Sequence, residues 1–220
     1  MSSSPQSPKP IIAVFDFDGT LTYTDSLLPF FRHVSGPIRF YLGLMALAPA
    51  ALGYLAGILS RQQFKERFVR FYLAGKSSHE LKRTLPAFIH GRLQDILNPV
   101  AMDKLRWHQK NGHRIILLSA SPETYLAAWA ESHSLELVAT RLEETEGRFS
   151  GRIRGSNCHG PEKLKRLEEL LGNPDAFEIY AYGDSPSDRF VLEKATHAEM
   201  KPFRGSGAPA RWLVFLRSLL

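Results

Sequence analysis

The sequence predicts an α/β protein, a doubly wound parallel sheet interrupted after its first strand by a helical insertion. Short apolar runs bounded by turn residues recur at 11–17, 113–119, 135–140 and 177–182, the pattern of strands buried on both faces. Segments of helical periodicity lie between them, at about 98–110, 122–133 and 161–171. A stretch that reads as helix throughout, 25–94, separates the first run from the second. Strands alternating with helices build a parallel sheet covered on both faces. An insertion at that point forms a cap over the carboxyl edge of the sheet, where open α/β sheets bind ligands. The expected division is a catalytic core of residues 1–24 and 95–220, with 25–94 as an α-helical cap.

Each element has a local reason. Residues 11–17 (IIAVFDF) run between Pro10 and the turn at Gly19, and 113–119 (HRIILLS) follows the turn pair Asn111-Gly112. The helix at 161–171 opens with Pro161 at a first-turn position and closes at Gly172. Residues 141–154, with Gly147 and Gly151, read as a β-hairpin. Pro122 is expected to start the helix after the second strand, and one reading of Asp184 or Ser185 is as the N-cap of a helix over 186–195, the alternative to a metal-site role for that loop.

Composition narrows the class further. With 220 residues, 44% hydrophobic and 23% charged, the chain is too apolar to be disordered. Cys158 is the single cysteine, which excludes a disulfide framework and suggests a reducing compartment. The opening MSSSPQSPKP has no apolar run of the kind a signal peptide needs. A cytoplasmic location is expected, with peripheral attachment to the inner membrane as the alternative. The net charge of +6 is concentrated: residues 25–94 carry ten Lys/Arg against three Asp/Glu. Such a block attracts a phosphorylated substrate, an anionic membrane surface or nucleic acid. Nucleic acid is not expected, because no recognised binding motif is present and it leaves the acids at the strand ends unexplained.

Residues 40–59 (FYLGLMALAPAALGYLAGIL) hold 20 residues without a charge. A helix of that length is about 30 Å long, enough to cross a bilayer. A single crossing would place the first strand and all later strands on opposite sides, where no parallel sheet can form. Pro49 and the glycines at 43, 53 and 57 favour two shorter helices. Two readings stand open: a buried helical hairpin, or an apolar cap face lying on lipid.

The chemistry gathers where strands end. Asp16 and Asp18 follow the first strand with Gly19 to turn the chain, and Asp184 and Asp188 follow the run at 177–182 after Gly183. Like charges that close need a cation, and Mg²⁺ characteristically takes one or two carboxylates plus substrate phosphate. Ser119, Ala120 and Ser121 lead from a strand into a helix, where a hydroxyl and N–H groups can hold an anion. Lys163 sits in a first helical turn, where the helix dipole disfavours a cation. The pair Cys158-His159 has no partners at zinc spacing and reads as loop structure near Lys163.

These elements, DFDGTLT at 16–22, LLSAS at 117–121, Lys163 and GDSPSD at 183–188, resemble in order and spacing the haloacid dehalogenase-like hydrolase superfamily. The cap after the first motif resembles the phosphoserine-phosphatase-like subfamily. The resemblance implies a Rossmann-like core and a Mg²⁺-dependent phosphatase. It implies Asp16 as the nucleophile that becomes aspartyl-phosphate and Asp18 as general acid/base, with Ser119 and Lys163 on the phosphoryl oxygens. It also implies a metal site made by Asp16, Asp184 and the backbone carbonyl of Asp18, with Asp188 supporting that shell. Dehalogenases lack the second Asp, so Asp18 favours phosphate esters. Asp25 stands where phosphoserine phosphatases carry a substrate-binding Glu, and Ser187 where many relatives carry Asn.

The expected substrate is a small phosphorylated metabolite. The alternative is a lipid phosphate, because the basic cap and the stretch 40–59 also resemble lipid-phosphate phosphatases of the same subfamily that act on phosphatidylglycerophosphate. Near an anionic leaflet each cation contributes about 1 kcal/mol. Residues 212–220 (WLVFLRSLL) read as a second apolar element, a terminal helix packed on the core or another lipid contact.

Overall fold

The computed structural model describes residues 8–203. Five parallel strands form the central sheet in the order β3-β2-β1-β6-β7. Strand β1 (Ile11–Phe15) lies between β2 (Arg114–Pro122) and β6 (Glu178–Gly183), with β3 (Glu136–Thr140) and β7 (His197–Met200) outside them. In this register Val14 stands opposite both Ile116 and Ala181.

Alternation along β1 feeds two cores. Ile12 and Val14 pack with Leu167 of α8 (Pro161–Leu171) and Leu192 of α9 (Arg189–Leu192). Ala13 and Phe15 face the other way, toward Leu105 of α6 (Pro99–Lys110) and Trp129 of α7 (Glu123–Ser132). That second cluster continues without a break into the insertion. The Phe30 and Tyr125 rings lie tilted with their centres 4.5 Å apart, and Ser26 Oγ is 2.7 Å from the Tyr125 hydroxyl.

The insertion consists of α1 (Leu27–Ser35), α2 (Pro37–Leu55), α3 (Arg61–Leu73) and α4 (Ser78–Phe88), then a kinked segment (Ile89–Leu93) and the short α5 (Gln94–Ile96). The chain leaves and re-enters the core side by side, Tyr23 N donating to Ile96 O at 2.8 Å and Asn98 N to Leu21 O at 2.9 Å. The hairpin of β4 (Leu142–Thr145) and β5 (Arg148–Ile153) reaches across to the insertion, where Gly75 N donates to Phe149 O at 2.8 Å.

Several expectations are corrected. The apolar stretch 40–59 is neither two short helices nor a buried hairpin, because α2 runs continuously through Pro49. Met45 and Pro49 both lie on the exposed side, so the carbonyl that loses its partner at the proline faces water. Gly43 does not break the helix but admits α3. A Cβ there would lie 2.3 Å from the Tyr72 hydroxyl, which donates to Phe40 O at 2.8 Å. Strand β1 stops at Phe15, two residues early, because the turn to Leu21 begins at once. Strand β2 runs on to Pro122, which caps α7 from outside instead of starting it. Helix α9 spans only Arg189–Leu192, since residues 184–188 fold into a turn around the Asp188 carboxylate. Strand β7 was not anticipated, and its four exposed residues show none of the apolar run of the others. The segment 212–220 lies outside the described residues.

Candidate functional site

The carboxyl edge of the sheet and the inner side of the insertion enclose a cavity of about 570 Å³. Asp16, Asp18, Asp25, Ser119, Ala120, Lys163 and Asp184 all line it, from segments far apart in sequence. Asp188 lies beneath, bonded to Lys163.

Asp16 leaves β1 with its N–H tied to Tyr182 O of β6 at 2.9 Å, which fixes the start of the turn. The turn needs Gly19, whose φ is +84° and whose Cβ position falls 2.3 Å from Asp184 Oδ2. Lys163 is 2% exposed in the first turn of α8, and its Nζ donates to Asp16 Oδ1 at 2.5 Å and to Asp188 Oδ1 at 2.7 Å. Asp188 Oδ2 accepts from Ser185 N at 3.0 Å and Asp184 N at 3.2 Å. The GDSPSD loop is thus wound around one carboxylate.

Asp18 points elsewhere. Its Oδ1 accepts from Ser26 N at 2.7 Å, and its Oδ2 accepts from Ser121 Oγ. Its carboxylate is therefore not one of the three, those of Asp16, Asp184 and Asp188, that gather within 4.8 Å of one another. Ser119 Oγ accepts from Ser121 N at 3.0 Å within the irregular end of β2, where the pairing with β3 shifts register. Asp25 is exposed and caps α1, accepting from Leu27 N at 2.8 Å.

Burial sets the protonation behaviour. It pushes Asp16 up to about 7, against the pull of Lys163. Asp18 is raised to about 6 by burial and by the Asp25 charge, opposed by the hydrogen bonds from Ser121 and Ser26. Burial also works against the Lys163 ammonium, but Asp16 and Asp188 outweigh it and hold Lys163 above the usual lysine range. Asp188 is correspondingly lowered, Lys163 overcoming its burial.

Carboxylate oxygens of Asp16, Asp184 and Asp188 lie within 4.8 Å of one another. These three buried acids share their corner of the cavity with the Lys163 ammonium, which is bonded to Asp16 and Asp188. The donors are all hard oxygens, so the residues fit a divalent ion such as Mg²⁺ and not a soft metal.

Sequence reasoning missed much of the cavity's far side. Tyr54, Phe64 and Phe68 form an apolar wall with Leu27 and Leu28, Tyr54 stacking on Phe64 at 4.9 Å. Lys65 reaches in from α3 and donates to Ala120 O at 2.6 Å and Asn157 Oδ1 at 2.9 Å. Its burial lowers it to about 8, with Asp25 and Asp18 pulling the other way. Of the two partners of the Asp18 carboxylate, Ser121 belongs to the 117–121 motif, while Ser26 carried no signal of its own. The loop near Lys163 buries Cys158 in the core beside Leu167, while His159 reaches the cavity wall. Burial, then Arg61, hold His159 down to about 4.

The family model for haloacid dehalogenase-like hydrolases matches residues 13–193. Protein CicA of Caulobacter vibrioides is 33% identical over 202 residues, covering 91% of this chain and 90% of CicA. A crystal structure of a protein with unknown function from Bordetella pertussis Tohama I superposes with a TM-score of 0.75 at 28% identity, covering 86% of this chain and 88% of that one. A substrate-bound phosphoserine phosphatase shares the fold, with a TM-score of 0.57 at 18% identity over 86% of this chain and 85% of that one.

Proposed function

The chain belongs to the haloacid dehalogenase-like hydrolase family, and from that premise we propose that it is a Mg²⁺-dependent phosphatase, cleaving phosphate monoesters through an aspartyl-phosphate on Asp16. The observation that carries this reading is the convergence of Asp16, Asp184, Asp188 and Lys163 at one end of a cavity whose wall also presents Asp18.

In the first step an Asp16 oxygen attacks phosphorus while the bond to the leaving oxygen breaks. Asp18 gives that oxygen its proton, a task suited to a carboxyl raised to about 6. In the second step Asp18 takes a proton from water, the water oxygen attacks phosphorus, and the Asp16–phosphorus bond breaks to release phosphate. Lys163 and Ser119 hold the phosphoryl oxygens through both steps, with Ala120 on the same loop shaping the anion site. Asp16, Asp184 and the Asp18 carbonyl would hold the Mg²⁺, whose contribution is to screen the charge between carboxylate and phosphate. Asp188 acts on the others, fixing Lys163 from below. Asp25 stands at the cavity wall, where it meets the leaving group. Residues 25–94 act as the cap, residues 1–24 and 95–220 as the core.

The substrate class follows as a small phosphorylated metabolite, held by Lys65 and Arg61 beside the acids. The apolar wall of Leu27, Leu28, Phe64 and Phe68 favours a second reading, a phosphate ester with a lipid leaving group. Initial rates on sugar, amino-acid and lysophosphatidate esters separate the two.

The deciding test is Asp16→Asn. The variant is expected to keep its circular dichroism and lose at least about 10³-fold in turnover of a chromogenic phosphate ester. Acid quenching of the native enzyme is expected to trap a phosphoryl group on the peptide that holds Asp16. Substantial residual turnover in the variant overturns the proposal.

A further inference from the structure

Helix α2 presents an apolar face to solvent along its whole length. Ile38, Tyr41, Leu42, Met45, Leu52 and Leu55 recur at helical spacing on it, and Ile58 follows just past its end. Leu55 is 80% exposed, Ile38 78% and Met45 65%. A helix of 19 residues is about 28 Å long, so the face is too extensive to be an incidental surface leucine. It cannot cross a bilayer, because β1 before it and β2 after it hydrogen-bond in one parallel sheet.

The charge around this face identifies what covers it. Between α2 and α3 runs a groove of about 580 Å³, with Ala46, Pro49 and Ala50 on one side and Arg67 and Arg70 on the other; Glu66, the carboxylate in its lining, accepts from Ile153 N at 3.2 Å. Both arginines are exposed, and among the described residues neither pairs with a carboxylate. Arg39, on α2 itself, donates to Phe71 O at 3.0 Å, close to the same edge. An apolar helix face bordered by unpaired cations is the pattern of an interfacial helix on an anionic leaflet. A second copy of the chain suits it less well, since pairing two such faces brings like-charged arginines together.

We propose that the outer face of α2, with Arg67 and Arg70 along its edge, docks on an anionic lipid bilayer. The helix would lie in the plane of the interface, its leucines among the acyl chains and the arginines at headgroup phosphates. Tyr54, on the other side of the last turns of α2, lines the cavity described above, so docking would set that cavity against the membrane surface. The inference does not depend on the phosphatase reading, because it concerns a surface outside the carboxylate cluster.

The test is co-sedimentation of the full chain with vesicles of phosphatidylcholine alone or with one third phosphatidylglycerol. Binding is expected only with the anionic lipid, falling several-fold between low and high salt. The double variant Leu52→Asp, Leu55→Asp changes only exposed positions and is expected to lower the vesicle partition coefficient at least about tenfold. Arg67→Gln with Arg70→Gln is expected to weaken binding to anionic vesicles while keeping the melting temperature. No binding to anionic vesicles at low salt overturns the proposal. So does a stable dimer in sedimentation velocity that the leucine variants dissociate, since it would show that a second copy covers the face. Turnover of a soluble ester is expected to be unchanged in the leucine variants, which separates this outcome from failure of the catalytic reading.

Discussion

Gly19 and Asp184 are packed so closely that a side chain on one excludes the carboxylate of the other: a Cβ at Gly19 would fall 2.3 Å from Asp184 Oδ2. The turn after β1 and the loop after β6 are thereby locked into one unit. Gly19→Ala is expected to be costly twice over. A φ of +84° strains any L side chain by about 1–2 kcal/mol, and the methyl displaces Asp184. Thermal unfolding should show the first effect. Mg²⁺ titration followed by calorimetry should show the second, as a loss of affinity of about tenfold or more.

Lys163 is bonded to both Asp16 and Asp188, so its removal leaves buried acids facing each other. Lys163→Met is expected to destabilise the fold by about 3–5 kcal/mol in the absence of divalent ions. Added Mg²⁺ should restore part of that stability while activity stays lost. Denaturant unfolding with and without the ion measures both.

The protonation of Asp18 is balanced by two neighbours acting in opposite directions. The Ser121 hydrogen bond lowers it and the Asp25 charge raises it. If Asp18 must carry a proton for the first step, activity falls on the alkaline side as that proton is lost. Ser121→Ala should move this limb to higher pH and Asp25→Asn should move it to lower pH. Profiles of kcat/KM against pH for the two variants read the opposite signs directly.

The same group has a stability consequence. A carboxyl raised from 3.8 to about 6 binds its proton more tightly in the folded chain. Its contribution is full below about pH 4 and is lost as pH rises through 6. Asp18→Asn should therefore gain stability relative to the native chain at pH 8 and not at pH 4. Melting curves at the two pH values check the sign.

Lys65 donates to Ala120 O and Asn157 Oδ1 across the boundary between insertion and core. Lys65→Met leaves both acceptors without that donor and should cost about 1–3 kcal/mol. It should also raise KM more than it lowers kcat, because the proposed role of the group is to hold the substrate and not to move a proton or bond to phosphorus.

Much of this arrangement was legible in the chain. Strand ends marked by Asp16, Asp18 and Asp184 could be read because a buried parallel strand is an apolar run and the acids sit where it stops. Lys163 stood out as a cation against the dipole of its own helix. Tyr54, Phe64 and Lys65 carried no comparable mark. Each is an ordinary residue of an amphipathic helix, and its role comes from the face that packing turns toward the cavity.

What the sequence determined by itself is the alternation of strands and helices, its interruption by a helical stretch after the first strand, and the acids placed where strands run out. Those follow from local rules, in which periodicity, turn chemistry and strand ends are properties of neighbouring residues. What only the tertiary structure decided is which side of each helix is covered. Gly43 and Pro49 looked like breaks in the run 40–59, yet one admits Tyr72 and the other faces water. The apolar content of α2 is the same whether it is buried or bare, because hydrophobicity sets the free energy of leaving water but not the surface that takes water's place. That surface is supplied by residues distant in the chain, and among the described residues none covers the outer face of α2.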